Sequence, residues 1–379
     1  VNRKIHLWLG LVSGLLVFLI SISGAMYAFR DEIYNKVHRQ HRYVDQAGLS
    51  PLPLDALWKI AQDTLGENAP IDYVNTFAEA DRAWEFKAYH HNPEKVSYFN
   101  WCEYDWLVYI NPYNGEVLKV LNHKYEFFQL VKMFHWSFLL NTRYGQPIVG
   151  YTVLLFVIGL LSGLLLWWPF GKKAKKQAFV IRPTRKWKVL NRDIHNVLGF
   201  YSIPFTLLLS FTGMVWAFKW FMALVVVVAN FSTALPESKS SLAENDEQMQ
   251  VDAIYDKVYQ NSVKRHPEAY SIMIRSAPGA SFGPIGTYVK ESEPVYYKAW
   301  LENFNPYTGE LIDSKGFGDL SRGEKLISMN YDIHVGAILG LPGKIIAFFI
   351  ALLAASMPIS GFLIWWYRIR PKRKIKIDF

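Results

Sequence analysis

Ten histidines occur in this chain of 379 residues, and four of them recur in matched positions. His6 stands in NRKIHLWLG (residues 2–10) and His195 in NRDIHNVLG (residues 191–199), stretches identical at six of nine positions. His135 and His334 occupy corresponding places ahead of the second and fourth long apolar runs. The other six (His38, His41, His90, His91, His123 and His266) have no histidine counterpart. Two imidazoles at one depth, related by a twofold axis, can approach a metal from opposite faces. That is the axial ligation of a bis-histidine haem. Two pairs therefore predict two non-covalent haem b groups, one on His6 and His195, the other on His135 and His334. His6 is about 20 residues from the far end of its helix, or roughly 30 Å at 1.5 Å per residue, so the two groups would be stacked across a bilayer.

Other metal chemistry has little to work with. Cys102 is the single cysteine, which excludes disulfide frameworks, Cys-rich zinc sites, thiolate-held iron–sulfur clusters and covalent c-type haem within this chain. Two histidines without repeated carboxylates or thiols are too few for zinc or copper. Methionine can serve as an axial ligand, but no methionine pair is matched between the halves. His6 and Gly10, like His195 and Gly199, are four apart and share a helix face, which leaves room for a porphyrin edge. The small pairs Ser23-Gly24, Thr212-Gly213, Ser162-Gly163 and Ser360-Gly361 permit close helix packing. Arg3, Arg192, Lys132, Arg143 and Lys344 read equally as partners of haem propionates and as membrane-edge charges. Trp84, Trp101, Trp106 and Trp136 read as core packing or as the lining of an outer site. Cys102 reads as structural, and the adjacent His90 and His91 as surface residues.

Four apolar runs position these residues: Ile5–Phe29, Pro147–Phe170, Ile194–Ala229 and Pro342–Trp366. Each is long enough to cross a hydrocarbon core of about 30 Å. The first reads as a retained span rather than a cleaved leader, because a near-copy recurs inside the chain. The net charge of +9 clusters beside these runs, a membrane pattern rather than a nucleic-acid one. Basic residues precede the first run (Arg3, Lys4), fill the loop after the second (Lys172, Lys173, Lys175, Lys176, Arg182, Arg185, Lys186, Lys188, Arg192) and follow the fourth. Both termini and that loop are therefore expected in the cytoplasm, and the two long intervening segments in a bacterial periplasm. Trp167-Trp168 and Trp365-Trp366 read as an interfacial aromatic belt.

The fold class expected is a membrane α-helical protein of four transmembrane helices, arranged as two parallel repeats, with two small α+β periplasmic domains. By residue the organisation reads 1–30 span, 31–130 outer domain, 131–170 pre-helix and span, 171–192 basic loop. It continues 193–230 span, 231–328 outer domain, 329–368 pre-helix and span, 369–379 tail. Leu54–Leu65 and Val251–Ser262 have helical spacing. Ala83–Tyr89, Tyr104–Ile110, Ser271–Ser276 and Tyr297–Phe304 alternate like strands, and Ser232–Glu247 reads as a linker. NPYNG (111–115) and NPYTG (305–309) are turns in which the glycine takes a positive φ.

In combination, I-H-x-x-x-G opening a span, [ST]-G near its far end, N-P-Y-x-G-E, a second histidine and a W-W exit resemble the PepSY-associated transmembrane proteins. Within that family the four-span architecture is similar to inner-membrane siderophore reductases of the FoxB type. The resemblance implies a dihaem b oxidoreductase that reduces ferric siderophores in the periplasm and releases Fe(II). No nucleotide-binding G-x-G-x-x-G unit is evident, so the electron donor would be quinol or a separate cytoplasmic reductase. Two other readings stay open: a dihaem cytochrome with a different acceptor, and a non-enzymatic membrane protein whose outer domains bind a protease or another partner.

Overall fold

The computed structural model describes residues 2–45, 50–169, 178–183, 185–232, 253–275, 283–293 and 295–370. Its first half runs α1 (Asn2–Tyr27), α2 (Arg30–Val37), α3 (Leu54–Leu65), β1 (Tyr73–Phe77), β2 (Trp84–His91), β3 (Cys102–Ile110), β4 (Val117–Asn122), α4 (Phe127–Ser137) and α5 (Thr142–Trp167). The same order follows in α6 (Trp187–Ala217), α7 (Lys219–Asn230), α8 (Ile254–Arg265), β5 (Ser271–Arg275), β6 (Ile285–Lys290), β7 (Ala299–Phe304), β8 (Leu311–Gly316), α9 (Arg322–His334) and α10 (Gly340–Ile369). The expected lysines at 172–176, the linker residues 233–247 and the tail from 371 onward lie outside the described residues.

Four helices, α1, α5, α6 and α10, are long and apolar enough to cross a membrane. They close into a ring in which α1 and α6 each pack against both α5 and α10. The expected third span, Ile194–Ala229, is corrected. Helix α6 stops at Ala217, Phe218 is extended (φ −132°, ψ 114°), and α7 begins at Lys219. No glycine or proline stands in residues 214–230, so the apolar pattern reads straight through the break. The break is set by packing: a Cβ on Gly150 of α5 would lie 2.7 Å from Ala217 Cβ and 3.0 Å from the Phe218 ring. Phe218 is buried there and meets Tyr151 edge-on.

The two expected outer units form one body. Strands β1 and β5 pair antiparallel, with Val74 opposite Ile274, and join two four-stranded meanders into a sheet of order β4-β3-β2-β1-β5-β6-β7-β8. Strands β1 and β6 were not anticipated, and both are short; β4 and β8 are the second strands that the NPYNG and NPYTG turns imply, and Leu118 and Leu121 of β4 pack against Leu107 and Tyr109. Leu54, Leu57 and Ala61 of α3 and Val258 of α8 share a single apolar core with Val74, Phe86, Val108, Ile274, Val289 and Phe304. The helices also cap each other. Leu54 N–H donates to Asp256 Oδ1 (3.0 Å) and Asp256 N–H donates to Asp55 Oδ2 (2.7 Å), beside a Trp58–Tyr255 stack at 4.3 Å. The turn glycines behave as expected, with φ of +75° at Gly115 and +67° at Gly309.

The opposite face of the sheet carries polar groups toward the spans. Asp105 accepts from His123 Nδ1 (3.1 Å) and pairs with Lys87, all three being largely buried. Burial pushes the Asp105 carboxyl up, but the His123 hydrogen bond and the Lys87 charge outweigh it and bring the group down to about 2. A depressed carboxyl pKa contributes stability that is complete above the unfolded value of about 3.9 and is lost as pH falls through the folded one. Thermal melts followed by circular dichroism should therefore lose about 2 kcal/mol between pH 4 and pH 2. Asp105→Asn should remove that step and lower stability at neutral pH. Separately, Asp256→Ala, which orphans the first amide of α3, should cost about 1 kcal/mol in the same melts.

Candidate functional site

Each matched histidine sits against one of the small-residue pairs, on a different helix. His6 of α1 meets Ser162-Gly163 of α5, and His195 of α6 meets Ser360-Gly361 of α10. His135 of α4 meets Ser23-Gly24 of α1, and His334 of α9 meets Thr212-Gly213 of α6. The expectation that these pairs serve helix–helix packing is thereby sharpened: their neighbour is an imidazole. The Nδ1 distances to the hydroxyl oxygens are 3.0 Å at Ser162, 2.8 Å at Ser360, 3.2 Å at Ser23 and 2.8 Å at Thr212. His6 and His135 also reach backbone carbonyls, Gly159 O at 3.1 Å and Ile20 O at 2.8 Å.

The direction of these bonds follows from what the hydroxyls do. Ser162 donates to Gly159 O, Ser360 to Ser356 O, Ser23 to Leu19 O and Thr212 to Leu208 O, each a carbonyl in its own helix. A hydroxyl has one proton, so toward the ring it can only accept. All four imidazoles are thereby assigned as Nδ1–H tautomers, with the Nε2 lone pair left for a ligand. Two buried asparagines, four residues before a histidine, brace the same seats. Asn191 Nδ2 donates to Ser360 O (3.0 Å) and Asn330 Nδ2 to Thr212 O (3.0 Å). Neither asparagine was anticipated; the shared spacing to His195 and His334 is the signal that marks them.

His6 and His195 line a cavity of about 1170 Å³ inside the helix ring and lie within electrostatic reach of each other. Gly10 and Gly199 face this space, and a Cβ on Gly10 would meet nothing within 4 Å. Arg3, Lys4, Arg192 and Arg368 gather at its edge. The tryptophan pairs divide: Trp167 and Trp365 line the cavity, whereas Trp168 and Trp366 are exposed. At the sheet end, the His135 and His334 ring centres are 6.1 Å apart. Trp216 lies 5.2 Å from His334 and 5.8 Å from Trp136, so Trp136 does line this end while Trp84 is in the sheet core. Trp101 stacks on His91, and Trp106 packs on the sheet core. Cys102 is buried.

The basic candidates separate. Arg3 and Arg192 face the cavity. Lys132 stands one turn before His135 with its side chain exposed. Lys344 is corrected: it is 2% exposed and committed to Asp31 (3.2 Å) and Glu32 (3.0 Å). Arg143 is exposed in the first turn of α5 and belongs to neither pair. Among the described residues no group of three or more His, Cys, Asp or Glu converges to hold a metal ion.

The profile of the PepSY-associated TM region matches residues 3–368. The chain belongs to that family. No curated protein matches it. Within this PepSY-associated chain, the seats make a graded prediction. A Cβ at Gly24 or Gly163 would lie 2.9 Å from the Cε1 of His135 or His6, but one at Gly213 would lie 3.7 Å from that of His334. Gly213→Ala should be neutral or stabilising by up to about 1 kcal/mol, the ordinary helix gain. Gly24→Ala and Gly163→Ala should lower the melting temperature instead.

Proposed function

We propose that the protein is a dihaem b inner-membrane reductase, carrying electrons across the membrane to a periplasmic ferric siderophore and releasing Fe(II). The observation that carries this reading is the set of four imidazoles, each with Nδ1 against a serine or threonine hydroxyl of another helix, paired at the two ends of one helix ring. Two imidazoles alone leave a zinc or copper ion short of ligands, whereas a porphyrin supplies the other four positions. Haem b held at each pair would supply one-electron transfer.

The chain's own residues do the rest. His6 and His195 would hold the inner group, and Arg3, Lys4, Arg192 and Arg368 at the cavity edge would offer positive charge to its carboxylates. His135 and His334 hold the outer group, with Lys132 one turn away as a counter-charge. The serine and threonine acceptors raise ligand basicity and fix ring orientation. The pattern of basic residues supports a periplasmic sheet and cytoplasmic termini. The equal order of elements in the two halves fits an internal duplication whose halves run parallel through the membrane. Fe(III) is the harder ion, so reduction loosens its oxygen donors. The donor is a quinol or a cytoplasmic reductase.

Reduced-minus-oxidised spectra of protein from haem-supplied cells should show b-type haem, two per chain by pyridine haemochrome. His6→Ala or His195→Ala should remove one, and His135→Ala or His334→Ala the other. A colourless protein overturns the reading, and losses that cross between pairs overturn the pairing. Oxidation of the reduced protein by a ferric siderophore, and not by buffer, tests the acceptor.

A further inference from the structure

Helix α7 breaks the likeness between the halves. The element after α1 is α2, which carries Arg30, Asp31, Glu32 and Lys36 in eight residues and is tied to α10 through Lys344. The element in the same place after α6 is α7, KWFMALVVVVAN, whose only charged residue is its first. Trp220, Leu224, Val228 and the following Phe231 are 55%, 48%, 61% and 84% exposed. Their spacing of four, four and three puts them in one stripe. Val226, on the opposite side, is buried against α9, where a Cβ on Gly323 would lie 2.8 Å from Val226 Cα. Asn230 Oδ1 then accepts from Gly323 N–H at 2.7 Å, in the first turn of α9.

We propose that the Trp220–Leu224–Val228–Phe231 stripe lies among lipid acyl chains on the sheet side of the membrane, making α7 a lipid-held strut for the helix that carries His334. Three observations favour lipid as the occupant. The stripe follows directly in the chain on a span whose own Tyr201, Phe205, Leu208 and Phe211 are exposed and apolar. At 12 residues α7 is about 18 Å long, too short to cross the bilayer. It starts on Lys219-Trp220, a cation and an indole of the kind that settle at the membrane boundary. The other side of α7 ends in the Asn230 bond to the first turn of α9, so the depth of α7 in lipid is passed to His334. Both α4 and α9 also carry their own caps, Glu126 accepting from Gln129 N–H and Ser321 Oγ from Glu324 N–H.

Site-directed spin labels in lipid nanodiscs test this on the full chain, in a Cys102→Ala background. Leu224→Cys and Val228→Cys labels should collide with oxygen several-fold more than with a water-soluble nickel chelate, and a Lys36→Cys label on α2 should show the reverse. Nickel access at 224 and 228 equal to that at 36 overturns the proposal. Shielding from both reagents also overturns it: loss of the shielding on dilution assigns the stripe to a second copy, and persistence assigns it to residues 233–252. Should the labelled variants fail to fold, Trp220→Phe provides the second measurement. Brominated acyl chains should quench a smaller fraction of its tryptophan emission than of the wild type's, and an unchanged fraction counts against lipid contact.

Discussion

A serine or threonine inside a helix can return its hydroxyl proton to a carbonyl one turn back, and four residues here do so. What remains on the oxygen is acceptor capacity, aimed at an imidazole from another helix. That constraint decides the tautomer of each ring, and the tautomer decides which nitrogen is available for chemistry. The glycine that follows each hydroxyl lets the ring come close enough to use it. Remove the hydroxyl and the ring loses its orientation; enlarge Gly24 or Gly163 and the ring loses its seat.

Helices α1 and α6 each do two jobs. Near one end they carry His6 and His195, and near the other they seat His135 and His334. Ser23 is 17 residues beyond His6, about 25 Å along the helix. A tilt or rotation of α1 would therefore move a ring at one end and a seat at the other. Rigidity of these two spans, supplied by α5 and α10 on either side, is the condition for both pairs to keep their geometry at once.

Much of this arrangement is legible in the residues. The four histidines and four small pairs can be picked out because each recurs at a matched place, and the turn glycines because only glycine readily takes their φ. The partnership between histidine and hydroxyl is not legible, since Ser162 and His6 are 156 residues apart and meet only through helix packing. The break at Phe218 is hidden for a related reason: the residue it packs against, Gly150, stands on another helix. The β1–β5 pairing is likewise invisible to periodicity, which says that a strand exists and nothing about which edge it seeks.

That seam has a consequence for how such a chain could arise. The paired faces of β1 and β5 lie at equivalent places in the two halves, with Val74 opposite Ile274 over a core both halves share. A chain of half this length would carry β1 as a bare edge above an open apolar face, a combination that invites pairing with an identical edge. Each histidine would keep its seat, since all four lie against hydroxyls of their own half. Joining two such halves end to end would keep the β1–β5 pairing at the seam while letting the two halves differ elsewhere.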